Sequence, residues 1–128
     1  MKITCESSTK FKMEHQGNIV ISDQPVPRGN GEGMTPVALM SAALGSCIGI
    51  YVADYLTRNQ LSTEGMDIDV EWKIADRPKR VSAYQVKVNI PHQLTERQHS
   101  SLSRIVKACT VHNTMHHAPE MDISLLTP

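Results

Sequence analysis

The chain has 128 residues, enough for one domain that buries a hydrophobic core without disulfides or a structural metal. Its 13 Lys and Arg balance 13 Asp and Glu, so no long-range field gathers phosphate backbones or anionic lipids, and nucleic acid and membrane surfaces are not expected partners. The N-terminus lacks a signal-peptide core, no uninterrupted apolar run reaches membrane-span length, and the three cysteines are an odd number, which together predict a cytoplasmic protein whose thiols stay reduced until used.

Short β-favouring runs at 3–5, 10–14 and 18–22, separated by turn formers such as Gln16-Gly17, predict a meander of two or three strands. The segment 28–33, with Gly29, Gly31 and Gly33 alternating, reads as a loop that wraps close to something. A helix then runs over 35–59, with Thr35 as N-cap and Pro36 at the first helical position. It is apolar on most sides (Leu39, Met40, Leu44, Ile48, Ile50, Val52, Leu56), which predicts a central helix covered by sheet or by a partner subunit. Ser41, Gly45 and Gly49 recur every four residues, a small-residue stripe for close packing.

From 66 to 74 apolar and charged residues alternate strictly, with Met66, Ile68, Val70, Trp72 and Ile74 on one face. Residues 77–80 read as a hairpin connection, and 81–90 as the returning strand with Tyr84, Val86, Val88 and Ile90 inward. Thr95 with Gln98 has the form of a capping box, opening a second helix over 96–109 that points Cys109 at the core. The alternation of Met121, Ile123 and Leu125 predicts a last strand. This order defines an α+β fold, a single domain over 1–128 with an antiparallel sheet on helices.

Free cysteine is commonly a small buried hydrophobe, so composition alone gives Cys47 and Cys109 no chemistry. Their surroundings do. The stretch Gly33-Met34-Thr35-Pro36-Val37-Ala38-Leu39-Met40-Ser41-Ala42-Ala43-Leu44-Gly45-Ser46-Cys47 resembles the signature of the OsmC/Ohr family, and Cys109-Thr110-Val111-His112-Asn113-Thr114-Met115 resembles that family's second cysteine motif. The match covers nearly the whole chain.

The resemblance implies an OsmC-like fold, an antiparallel β-sheet wrapped on a long central helix in an intertwined homodimer, with the active site at or near the subunit boundary. It implies Cys47 as the thiol that attacks a hydroperoxide and Cys109 as the thiol that resolves the sulfenic acid into a disulfide. The family supports the thiolate with an arginine from the segment before the helix, and Arg28, the only arginine before residue 58, is the matching candidate. The family's peroxidases hold that arginine with a glutamate just after the helix-starting proline, where this chain has Val37 and Ala38. Glu32 is the nearby carboxylate for that task. Thr110 replaces a common proline. The resemblance calls for no organic cofactor or metal, and for an external dithiol or a lipoyl-bearing protein as reductant.

Cys5 reads as structural. His112, His116 and His117 invite a metal reading, but no established ligand spacing is present and neighbouring histidines in an extended stretch face apart. His112 is instead close enough in sequence to Cys109 to tune a thiol. The expected function is a thiol peroxidase acting on organic hydroperoxides or hydrogen peroxide in oxidative-stress defence. The alternative is a low-activity dimeric binding or redox-sensing protein that lacks the supporting glutamate.

Overall fold

A computed structural model describes residues 1–128. The chain divides into two compact units, one made of residues 1–43 and 69–87, the other of 44–68 and 88–128. The class is α+β with antiparallel sheets, as the element order predicts.

In the first unit β1 (Lys2–Cys5), β2 (Phe11–His15) and β3 (Asn18–Ser22) form a three-stranded sheet in the order β1-β2-β3. Lys2 pairs with Glu14 and Phe11 with Ser22, both antiparallel. Gln16 and Gly17 take φ of 49° and 80°, so the two-residue β2–β3 turn has the left-handed backbone that suits the twist of a hairpin. β3 then runs into the glycine-rich loop, whose return is fixed by a parallel bridge from Ser22 to Met34. Gly33 has to be glycine, since a Cβ there would lie 2.3 Å from the Ile21 carbonyl oxygen.

Helix α1 (Pro36–Arg58) begins as the sequence predicts. The Thr35 hydroxyl accepts the Ala38 N–H at 3.2 Å, satisfying one of the free donors of the first turn. Its end is a Schellman motif: Gln60 adopts φ 58°, the Leu61 N–H donates to Leu56 O, and the Gln60 N–H to Thr57 O. The buried stripe is Ser41, Leu44, Gly45, Ile48, Gly49, Val52 and Leu56, the helical spacing of one face. The expectation was a central helix covered by sheet or by a partner subunit, and a single chain supplies cover for part of it only. One chain covers one stripe, and Ile50 remains 68 % exposed. By length and composition α1 also passes as a membrane span, against the expectation that no segment would, and a third of that window is buried within the chain.

Strands β4 (Asp67–Asp76) and β5 (Lys79–Asn89) form a two-stranded sheet joined through Arg77 and Pro78, and each contributes residues to both units. The predicted alternation is visible in the half-buried Ile68, Val70, Tyr84, Val86 and Val88, but it fades at Trp72 and Ile74, which are exposed.

In the second unit α2 (Glu96–Ile105) opens with the predicted capping box, the Gln98 N–H on Thr95 Oγ1 and the Thr95 N–H on Gln98 Oε1. The helix does not reach residue 109. It tightens into a 3₁₀ turn, Val106–Ala108, and stops at Cys109, which is extended and serves as N-cap of a third helix, α3 (Thr110–His116). The last strand is also corrected: residues after His117 form none, and Ile123 and Leu125 are 83 % and 93 % exposed. Alternation makes a segment competent to pair, but a strand exists only where an edge accepts its hydrogen bonds.

Candidate functional site: a hydrogen-bonded thiol pair

Cys47 lies at the flank of the buried stripe of α1, half-buried, and Cys109 is fully buried at the start of α3. Both belong to the second unit. The break that ends α2 creates the site, because an extended Cys109 turns its side chain back over the first turn of α3. There its sulfur accepts the His112 N–H at 3.5 Å. The thiol of Cys109 in turn donates to the sulfur of Cys47, which also faces the backbone N–H groups of Val111 and Thr110.

The two sulfurs consequently titrate in opposite directions. Burial pushes the Cys47 thiol up, but the hydrogen bond from Cys109 and the two amides outweigh it and bring its pKa below the ordinary 9.0. Burial and the hydrogen bond it gives to Cys47 hold the Cys109 thiol above its ordinary value, against the opposing amides of His112 and Val111. The pair thus favours a state with the proton on Cys109 and the negative charge on Cys47, the more accessible sulfur. The amides that stabilise this charge carry no sequence signal, since any residue at 110 and 111 supplies them.

Arg28 lies in the other unit, exposed in the turn after Pro27, where its backbone N–H donates to the Pro25 carbonyl. Its guanidinium has no ion-pair partner. Glu32 is engaged by Lys10 and not by Arg28, and Lys10 also meets Glu6 at 3.4 Å. The hydrogen bond and charge of Lys10 hold the Glu32 carboxyl below its ordinary value.

Asp23 organises this loop, and sequence reasoning missed it. It is 1 % exposed. Its carboxylate accepts the Gln24 N–H at 2.7 Å, the Asn30 N–H at 3.0 Å and the Glu32 N–H at 3.2 Å. Burial acts to raise its pKa, but these amides and the Thr9 hydroxyl overcome it and the net shift is downward. Gly29 closes against it, since a Cβ there would stand 2.6 Å from Asp23 Oδ1. An aspartate directly after a strand and before a turn-rich segment was the available signal.

His112 occupies the first turn of α3, its ring 4.4 Å from that of His116 and tilted by 50°. Its Nδ1 is buried without a hydrogen-bond partner. The stretch is helical, not extended as the sequence reading had it, so His112 and His116 share a face. No three His, Cys, Asp or Glu side chains converge to hold a metal ion. Cys5 is exposed, its thiol on the Ser7 carbonyl at 3.1 Å.

A small α+β fold that brings two distant thiols into one hydrogen bond defines the class of protein. The chain belongs to the OsmC family: the family described as OsmC-like protein matches residues 29–124. Among solved structures it is similar to a protein from Psychrobacter arcticus 273-4, provisionally described as an osmotic stress induced and detoxification response protein. The identity is 22 %, the alignment covers 88 % of this chain and 85 % of the other, and the TM-score is 0.81. An OsmC-like protein from Mycoplasma pneumoniae aligns with TM-score 0.75 at 14 % identity over 91 % and 86 % of the two chains. An organic hydroperoxide resistance protein OsmC from Legionella pneumophila aligns with TM-score 0.51 at 18 % identity over 84 % and 88 %. No curated protein matches the sequence.

Proposed function

We propose that this protein is a thiol peroxidase that reduces organic hydroperoxides or hydrogen peroxide through Cys47 and Cys109. The observation that carries the reading is the shared hydrogen bond, with Cys47 the half-accessible sulfur of lowered pKa and Cys109 the buried, protonated one. The Cys47 thiolate attacks the terminal peroxide oxygen; an S–O bond forms, the O–O bond breaks, and the departing alkoxide takes a proton to leave as alcohol. Cys109 then attacks the sulfenic sulfur of Cys47. The disulfide forms and the hydroxyl leaves with the Cys109 proton as water.

A second electron pair has to come from outside, from a dithiol or a lipoyl-bearing protein. The Legionella protein is described as a predicted redox protein and regulator of sulfide bond formation, in keeping with a redox stress role. The protein acts as a soluble cytoplasmic homodimer. Exposed apolar side chains on α1 (Met40, Ile50) and β4 (Trp72, Ile74) give a second copy a surface to cover. By the family resemblance Arg28 is the candidate cation for the thiolate, while Glu32, the candidate to hold it, pairs with Lys10.

The alternative, a redox-sensing member with little turnover, is favoured by two observations: Val37 and Ala38 supply no carboxylate, and Arg28 has no ionic partner. Mixing the reduced protein with cumene hydroperoxide and counting free thiols by mass spectrometry separates the two readings. A peroxidase loses two thiols rapidly to an intramolecular disulfide, and Cys47→Ser abolishes the loss. Slow, nonspecific oxidation is the result that favours the sensor.

A further inference from the structure

Helix α3 has seven residues, and no side chain on it is fully buried. A helix that short is marginal in water, so propensity and packing hold it weakly. Sulfur secures its first turn. The Asn113 N–H makes the first helical hydrogen bond, to the Cys109 carbonyl at 2.9 Å, and the three amides before it all meet a thiol. The N–H groups of Thr110 and Val111 face the Cys47 sulfur, and that of His112 donates to the Cys109 sulfur at 3.5 Å. In the reduced pair the negative charge on Cys47 thus stands at the positive end of α3, where hydrogen bonds to a charged acceptor are stronger than neutral ones. A disulfide sulfur carries no charge and accepts weakly. Oxidation therefore takes away what the first turn of α3 is capped by.

We propose that α3 is a redox-operated strap on the thiol pair, ordered while Cys47 and Cys109 are reduced and released when they join in a disulfide. The inference rests on the pairing of these two cysteines that the proposed function requires. Cys109 is fully buried in the reduced chain, and re-reduction by an external dithiol depends on access to the disulfide. Release of the first turn of α3 supplies that access. One thiolate of the dithiol attacks the disulfide, the sulfur–sulfur bond breaks, and the electron pair goes to the departing cysteine. The second thiol then displaces the other cysteine and closes the reductant's own disulfide. Both protein sulfurs return reduced, and α3 is capped again.

Amide hydrogen exchange on the whole chain, reduced and after oxidation by diamide, tests the proposal without any peroxide. Protection of the Thr110, Val111 and His112 amides is expected to fall about tenfold or more on oxidation, while buried α1 amides such as that of Val52 change less than about twofold. Reduced Cys47→Ala is expected to lose protection at Thr110 and Val111 with no disulfide present. Unchanged or slower exchange of α3 in the oxidised chain overturns the proposal and leaves the peroxidase reading standing. Equal loosening of α1 and α3 overturns it too, as does full protection at residues 110 and 111 in reduced Cys47→Ala. If diamide leaves Cys47 and Cys109 unjoined by mass spectrometry, the pairing itself fails, and the proposed function falls with this inference.

Discussion

Two thiols that share one hydrogen bond do not titrate alike, and at this site the donor decides which sulfur is the nucleophile. Replacing Cys109 by alanine removes the donor and leaves the desolvation of Cys47 opposed by the amides alone, so the pKa of Cys47 rises. Cys109→Ser keeps an O–H donor and raises it less. The pH dependence of alkylation by iodoacetamide, or of thiolate absorbance, measures both shifts. Asp23 gives a second prediction at this scale. Its folded pKa is depressed, so the stability it contributes is fully present above its ordinary 3.8 and is lost as the pH falls through the lower folded value. Asp23→Asn lowers stability at neutral pH and removes that acid-side loss, which urea titrations at a series of pH values detect.

Among the elements, the glycines separate by what surrounds them. At Gly33 an added Cβ meets the backbone oxygen of Ile21, which cannot move without shifting β3; at Gly49 it meets the far end of the Ile68 side chain at 2.7 Å, which can rotate away. Gly33→Ala therefore costs about 1–3 kcal/mol of unfolding free energy, as overpacking does. Gly49→Ala is close to neutral, because the helix propensity gained, up to about 1 kcal/mol, offsets the crowding. Urea unfolding midpoints of the two variants check the order. The stripe of Ser41, Gly45 and Gly49 is buried as its period predicts, so its value lies in close packing. The join between α2 and α3 shows the opposite case. Periodicity continues apolar through Val106 to Cys109, yet the backbone breaks there, because an extended Cys109 can cap α3 and no pattern of apolar residues encodes a cap made by sulfur.

For the whole molecule, exposed apolar surface is the main physical fact. Ile50 on α1, Trp72 and Ile74 on β4, and Ile123, Leu125 and Leu126 near the C-terminus all meet solvent in the isolated chain. The proposed dimer accounts for them if a second copy covers the side of α1 that lies beyond the stripe one chain buries. Analytical ultracentrifugation is expected to find a dimer, and Ile50→Glu to shift it toward monomer by placing a charge in the covered face. Retention of the dimer by that variant counts against burial of α1 between copies.

By itself the sequence determined the strands of the meander, both ends of α1, the hairpin and the capping box of α2. Each rests on contacts within a few residues: a Thr-Pro start, a Gln-Gly turn, a period of two. It also singled out Cys47 and Cys109, because their flanking residues match two separate motifs of one family. Only the tertiary structure decided that these sulfurs share a hydrogen bond, that Lys10 and not Arg28 engages Glu32, and that Asp23 anchors the glycine loop. Those outcomes depend on groups far apart in the chain, and on backbone amides that every sequence carries, so the order of the residues leaves no trace of them.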